Sequence, residues 1–279
     1  MTAPADTAEA DRALKARHRA IWALGDYPAV ARDVIPGLGA VLVDACRVKP
    51  GDSVLDVAAG PGNAAIPAAL AGANVVACDL TPELLEAGRQ QAAQRSAVLD
   101  WRQADAEALP FADGDFNIVL SCVGVMFAPD HRACAGEMVR VCRPGGTIGL
   151  INWTPEGFVG QMFTTMKPYT PPPPPGAQPP PLWGRADHVQ ELFGHQVDDL
   201  TVSRQTVTVD CFASPAAFRD YFKANYGPAV AAYRGIAGDP ERVAALDRDL
   251  DELAGRHDRG TGSTVMDWEY LLITARRRG

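Results

Sequence analysis

The sequence predicts an α/β fold, doubly wound around a mostly parallel sheet of seven strands. Three observations predict it. Between Ser53 and Trp153 short apolar runs alternate with helical periodicities. A glycine-rich turn, Gly60-Pro61-Gly62, follows the first of those runs, and beyond Trp153 a helical insertion is set between two last strand signals. Strands separated by helices need crossover connections, which cover both faces of a parallel sheet with helices.

Taken in order, Ala13 to Ala31 reads as a helix carrying Trp22 and Tyr27, and Pro36, Gly37 and Gly39 mark a break. A second helix, about Ala40 to Arg47, runs into the turn Lys49-Pro50-Gly51. Ser53 to Val57 is a strand, Asn63 to Ala71 a helix and Asn74 to Cys78 a strand. Thr81-Pro82-Glu83 opens the next helix with an N-cap, a proline at the first helical position and an early acid that suits the helix dipole. Val98 to Arg102 and Phe116 to Ser121 are the third and fourth strands. Asp130 caps a helix in which Ala135, Met138, Val139 and Cys142 fall at i, i+3, i+4 and i+7, a single buried stripe. Pro144-Gly145-Gly146 ends that helix, and Thr147 to Trp153 is the fifth strand.

After Trp153 a helix near Phe158 to Lys167 leads into Pro171 to Pro175 and Pro179 to Pro181, runs that fit neither a core helix nor a central strand. Thr206 to Cys211 alternates as a strand. Ser214-Pro215 caps a helical stretch to about Ala254, and Asp267 to Thr274 is the final strand.

Composition excludes several function classes. A net charge of -8 is the wrong sign for a chain that must neutralise many phosphates, so nucleic acid is not expected as a partner, and an anionic membrane surface is disfavoured too. The first eleven residues contain Asp6, Glu9 and Asp11 and no apolar core of a secretory signal, and no apolar run approaches a membrane span. The six cysteines (Cys46, Cys78, Cys122, Cys134, Cys142 and Cys211) have no paired spacing and read as reduced core thiols. A cytoplasmic monomer or homodimer is the expectation. No His, Cys and Asp cluster has metal-ligand spacing, so no metal is predicted.

The informative segment is Val54-Leu55-Asp56-Val57-Ala58-Ala59-Gly60-Pro61-Gly62-Asn63-Ala64-Ala65. Its glycines let the chain turn sharply from strand to helix and let a ligand approach the backbone. Gly60-x-Gly62-x-x-Ala65 matches a dinucleotide fingerprint, and Asp79 lies 19 residues after Gly60, near the spacing of a ribose-binding acid. Spacing alone leaves both NAD(P) and S-adenosylmethionine open. Asp56 helps to separate them, because a carboxylate ending the first strand repels a pyrophosphate but suits the ammonium end of a cationic cofactor. Asp79 ends the second strand, where it can accept hydrogen bonds from both ribose hydroxyls. Asp105-Ala106, just past the third strand, can meet an adenine edge.

These three strand-end acids together resemble the class I S-adenosylmethionine-dependent methyltransferases, a Rossmann-like family, and in particular its ubiquinone/menaquinone C-methyltransferase-like group of small-molecule enzymes. The resemblance covers about Val48 to Trp153. It implies S-adenosyl-L-methionine as cofactor, with the methionine part against Asp56, Ala58, Gly60 and Gly62, ribose on Asp79 with Leu80 beside the adenine, and the adenine side at Asp105 and Ala106. Leu109-Pro110-Phe111 and Arg140-Val141-Cys142-Arg143-Pro144-Gly145-Gly146 are further family marks, and Ser121 and Cys122 are implied to line the cofactor. Ala58 departs from the glycine usual at its position. The chain is expected to divide into an N-terminal helical lid (1–47), an S-adenosylmethionine-binding core (48–153) that carries the resemblance, and substrate-cap insertions with the last two strands of the same sheet (154–279).

Methyl transfer from a sulfonium is mostly a matter of alignment and water exclusion, with a base where a proton must leave. His18, Tyr27 and His131 are the candidate bases. His188, His195 and His257 sit in polar stretches and read as surface. Trp22, Met126, Trp153, Tyr169, Trp183 and Tyr226 are the candidate walls of a pocket for a small, partly apolar acceptor. Two other readings use the same residues: an NAD(P)-dependent oxidoreductase, and a methyltransferase-like protein that binds the cofactor without methyl transfer.

Overall fold

The computed structural model describes residues 4–173 and 176–279; two residues of the proline run expected over 171–175, and the first three of the chain, lie outside the described residues. Three helices come first: α1 (Pro4–Trp22), α2 (Tyr27–Asp33) and α3 (Leu38–Ala45). The alternating part follows as β1 (Ser53–Val57), α4 (Ala65–Leu70), β2 (Asn74–Asp79), α5 (Pro82–Gln94), β3 (Asp100–Gln103), β4 (Phe116–Cys122), α6 (His131–Val141) and β5 (Cys142–Trp153). Beyond it lie α7 (Phe158–Met166), α8 (Ala186–Phe193), β6 (Val197–Phe212), α9 (Pro215–Asn225), α10 (Gly227–Ile236), α11 (Pro240–His257) and β7 (Thr264–Arg277).

The seven strands form one sheet in the order β3-β2-β1-β4-β5-β7-β6. The first five are parallel, and β7 runs antiparallel between β5 and β6. β1 and β4 lie at the middle of this order, and their buried runs (Val54, Leu55 and Val57; Val119 and Leu120) read as continuous apolar segments because helices cover both faces. The order reverses between β1 and β4. That switch point leaves a crevice outside the strands' carboxyl ends, where ligands of open α/β sheets bind.

Several local expectations are revised. The helix expected over Ala13 to Ala31 is two helices: Gly25 takes φ +70°, and Asp26 starts α2 by accepting a hydrogen bond from the Ala29 N–H at 3.0 Å. A Cβ at Gly25 would stand 2.4 Å from the Asn225 carbonyl oxygen, so both the backbone angle and the neighbour require glycine. The helical stretch from Pro215 to Ala254 consists of three helices, interrupted at Tyr226 and again before Asp239, which caps α11 through the Arg242 N–H. Helix α8 has no counterpart in the sequence reading. Thr81 flanks α5 without a side-chain capping bond, and its own N–H is held by Asp79 instead.

Five of the six cysteines are buried and all are unpaired, whereas Cys211 is exposed rather than in the core. Burial pushes the Cys46 and Cys142 thiols up to about 12, which keeps them protonated and inert. No helix among the described residues is long and apolar enough to cross a membrane.

Candidate active site

At the switch point a cleft of about 760 Å³, part of it open to solvent, lies between the carboxyl ends of β1, β2 and β4 and the first helices. Its floor is the turn after β1. There Ala58 and Gly60 both take positive φ, +53° and +54°, and Gly62 follows at +90°. Ala58 is thus a non-glycine residue in the left-handed region, a conformation that glycine adopts without strain. The turn is fixed from two sides: the Ala59 N–H donates to the Cys78 carbonyl at 2.9 Å, and Gly124 packs so close that a Cβ there would stand 2.2 Å from the Ala58 carbonyl oxygen.

Asp79 lines the cleft. One of its oxygens accepts from the Gly60 N–H and the other from the Thr81 N–H, each at 2.8 Å. Burial lifts its pKa, against the opposing hydrogen bonds from Thr81 and Gly60. An ionised carboxylate has about four lone-pair sites, so two backbone bonds leave acceptor capacity on both oxygens. Leu80, Ala106 and Cys122 line the same cleft, as do Ala58 and Gly60. A turn with exposed backbone, a carboxylate with free lone pairs and an apolar neighbour at Leu80 fit a nucleoside carrying an amino-acid tail.

Asp56, Gly62 and Ser121 stand behind this wall rather than on it. Asp56 is 1% exposed, and its Oδ2 accepts from the Ala65 N–H at 2.8 Å, which ties the end of β1 to the start of α4. Its Oδ1 has no partner among the described residues. Burial pushes its pKa up to about 7, opposed by the Ala65 bond and reinforced by the charge of Asp79. Ser121 Oγ donates to the Val57 carbonyl at 2.7 Å and accepts from the Val125 N–H at 3.0 Å, joining the turns after β1 and β4. A Cβ on Gly62 would meet the Trp101 ring at 2.7 Å, so its place is one of close packing.

Asp105 also lines the cleft, and its Oδ2 is 2.6 Å from Lys15 Nζ on α1. Lys15 makes a second ion pair with Glu107, whose other oxygen accepts from the Asp130 N–H at 2.7 Å. Burial draws the Lys15 pKa down, but the hydrogen bonds to Asp105 and Glu107 outweigh it and leave it raised. Sequence reasoning missed Lys15 and Glu107. The signal was available: Asp11, Lys15, His18 and Trp22 follow one another at helical spacing, so one face of α1 carries the charge, the imidazole and the indole together.

Of the candidate bases, His18 and Tyr27 line the cleft and His131 does not. Burial, then the Lys15 charge, lowers the His18 pKa. Tyr27 is pushed well up by burial, with Cys122 and Asp79 adding to the effect. His131 is wholly buried at the start of α6, its Nδ1 3.0 Å from His188 Nε2 and its ring 5.5 Å from Trp183. Burial and the neighbouring His188 push it down to about 4. His188, read as surface, is its partner.

A second cavity of about 350 Å³ adjoins the cleft, and Trp22, Tyr27, Val123 and Phe127 contribute to both walls. Trp153 and Tyr226 line it. Met126 and Trp183 are fully buried and line neither space, and Tyr169 donates its hydroxyl to Asp249 at 2.5 Å, also away from both. Phe127, Phe222 and Trp268 belong to the wall and were not among the expected residues. Trp268 faces in because β7 alternates, burying Met266, Trp268 and Tyr270 in turn. Among the described residues no group of three His, Cys, Asp or Glu side chains is placed to hold a metal.

Residues 55–150 match the family described as methyltransferase domain. An uncharacterized protein of Mycobacterium tuberculosis (strain ATCC 25618 / H37Rv) is 50% identical over 271 residues, which is 97% of this chain and 98% of that protein. A demethylmenaquinone methyltransferase of Paenarthrobacter aurescens (strain TC1) is 40% identical over 108 residues, 39% of this chain and 41% of its own. Among solved structures, the YcgJ protein from Bacillus subtilis superposes with a TM-score of 0.60 at 17% identity, covering 86% of this chain and 98% of that one. The chain belongs to the class I S-adenosylmethionine-dependent methyltransferases, and S-adenosylmethionine is its cofactor.

Proposed function

We propose that the protein methylates a small, partly apolar molecule held between its first three helices and the insertions after β5, which act as lid and cap to the 48–153 core. The observation that carries this is the junction of the two cavities: a cleft bearing carboxylates and open backbone shares Trp22, Tyr27, Val123 and Phe127 with a cavity bearing aromatic rings. Bound S-adenosylmethionine supplies an electrophilic methyl on a positively charged sulfur.

In this reading Asp79 receives the ribose hydroxyls, Ala58 and Gly60 offer backbone to the amino-acid tail, and Asp105 with Ala106 meets the adenine edge beside Leu80. Asp56 acts from below by holding the turn and by its charge. The protein's work at the reacting centre is to align the acceptor and exclude water, an effect that supplies roughly 7 to 11 kcal/mol when the geometry is productive. His18, lining the cleft with a lowered pKa, is the group placed to take a proton at neutral pH. The raised Tyr27 hydroxyl stays protonated there and serves as a donor. Five buried, unpaired thiols support a reducing, cytoplasmic location. A monomer or homodimer belongs to the same reading.

Calorimetric titration with S-adenosylmethionine, S-adenosylhomocysteine and NAD(H) tests it, with Asp79→Ala as control. Micromolar binding of the first two is expected. Losing two charge-assisted sites, the variant binds them weaker by about 2 to 3 kcal/mol. Binding of NAD(H) alone, or unchanged affinity in the variant, defeats the assignment.

A further inference from the structure

Seven of the twelve residues lining the second cavity are aromatic, and none is charged. The indole and hydroxyl donors of that wall make no hydrogen bonds among the described residues, and one of them is itself a buried atom. The indole N–H of Trp268, a residue 2% exposed, makes no hydrogen bond among the described residues. The hydroxyl of Tyr226, a residue 5% exposed, makes none either, and its aromatic neighbours Phe222 and Trp22, at centroid distances of 5.4 and 5.9 Å, offer it no lone-pair acceptor. Buried Trp N–H and Tyr O–H groups ordinarily find acceptors, because leaving one unmade forfeits its hydration. Such groups on one apolar cavity point to an occupant that brings the acceptor with it.

We infer, on the methyltransferase reading above, that this cavity is the acceptor subsite and selects an uncharged, flat ring compound bearing an oxygen, with Trp268 and Tyr226 as the specificity-determining donors. An anion is disfavoured because no cation lines the cavity to compensate its burial. Aromatic cages also take quaternary ammonium groups through their ring faces. Here the unpartnered N–H and O–H donors of the wall, Trp268 and Tyr226 among them, carry the positive ends of their dipoles at the ring edges, which suits an oxygen and opposes a cation. A ring compound suits the walls: Trp153 and Trp268 meet at 79°, and Trp22 and Tyr27 at 82°, so aromatic faces and edges both border the space and offer an aromatic occupant stacked and edge-on contacts.

The test titrates the full chain, saturated with S-adenosylhomocysteine, with 2-naphthol, naphthalene-2-sulfonate and 2-naphthyltrimethylammonium, following intrinsic tryptophan fluorescence. The expected result is binding of 2-naphthol at least tenfold tighter than either charged analogue. Trp268→Phe and Tyr226→Phe each weaken 2-naphthol about fivefold, while affinity for S-adenosylhomocysteine stays within twofold. Because Trp268 stacks on Phe158 at 5.0 Å, its variant is checked by thermal melting, and Tyr226→Phe alone carries the test if that variant fails to fold. Equal binding of a charged analogue, no binding of 2-naphthol, or both folded variants binding it as the parent does overturns the inference. Failure of S-adenosylhomocysteine to bind the parent chain instead defeats the cofactor assignment, and is seen separately in the first titration.

Discussion

Lys15 Nζ stands 2.6 Å from Asp105 Oδ2, so a cation on the first helix closes onto a carboxylate just beyond the third strand. The pair is half-sheltered, with Lys15 at 11% and Asp105 at 28% side-chain exposure, and Glu107 makes it a three-group network rather than an isolated surface pair.

Lys15→Met keeps the stem of the side chain and removes the charge. Stopped-flow displacement of S-adenosylhomocysteine is expected to show release roughly tenfold faster, the effect of losing about 1.4 kcal/mol of closure. Limited proteolysis within α1 speeds up alongside. Unchanged release means the helix is held over the cleft by Trp22 and its ring contacts alone.

Asp56 gives a pH dependence with a definite sign. Its folded pKa of about 7 lies above the ordinary carboxyl value, so between about pH 4 and 7 the folded protein keeps a proton that the unfolded chain has lost. That contribution to stability is full below pH 4 and fades as pH rises through 7. Asp56→Asn retains an acceptor for the Ala65 N–H and does not titrate. Denaturant unfolding of the ligand-free protein is expected to find the variant more stable than the parent at pH 8, by a few kcal/mol at most, and the two nearly equal at pH 4.5. A constant difference across this range rejects the buried ionisation.

His131 contributes the opposite slope. Its folded pKa of about 4 lies below the ordinary value of 6.5, so in that interval the unfolded chain binds the proton and the folded protein does not. Stability from the neutral ring is full above pH 6.5 and is lost as pH falls toward 4. His131→Leu flattens this limb of the stability curve and, since His131 lines neither cavity, leaves S-adenosylhomocysteine affinity within twofold. A large loss of affinity in a folded variant assigns it a part at the site.

Sequence periodicity made the alternating segment legible because buried parallel strands announce themselves as short apolar runs: Ser53 to Val57 is read with both its ends. The helix breaks at Gly25 and Tyr226 were hidden because each is set by the other. Gly25 bridges Tyr226, and the Asp26 N–H donates to the Asn225 carbonyl at 2.9 Å, a contact across two hundred residues. Local propensity carries no trace of such a pairing. The strand-end acids could be placed at the site from strand order alone, but which of them faces the cleft depends on side-chain direction. Asp79 and Asp105 line it, and Asp56 turns beneath the loop to Ala65. The wall of the second cavity was partly legible as aromatic content; Trp268 was not, because a strand tryptophan reads as packing until its N–H is found without a partner.

The pairing of Gly25 with Tyr226 fastens the linker between the first two helices to the joint between α9 and α10. Trp22 and Tyr27 flank that linker on the chain, and each borders both cavities. Displacing these two rings from the cleft would therefore open the aromatic chamber as well. The two spaces thus share part of one roof, and that roof is anchored at a single bridge between the N-terminal helices and the α9–α10 joint.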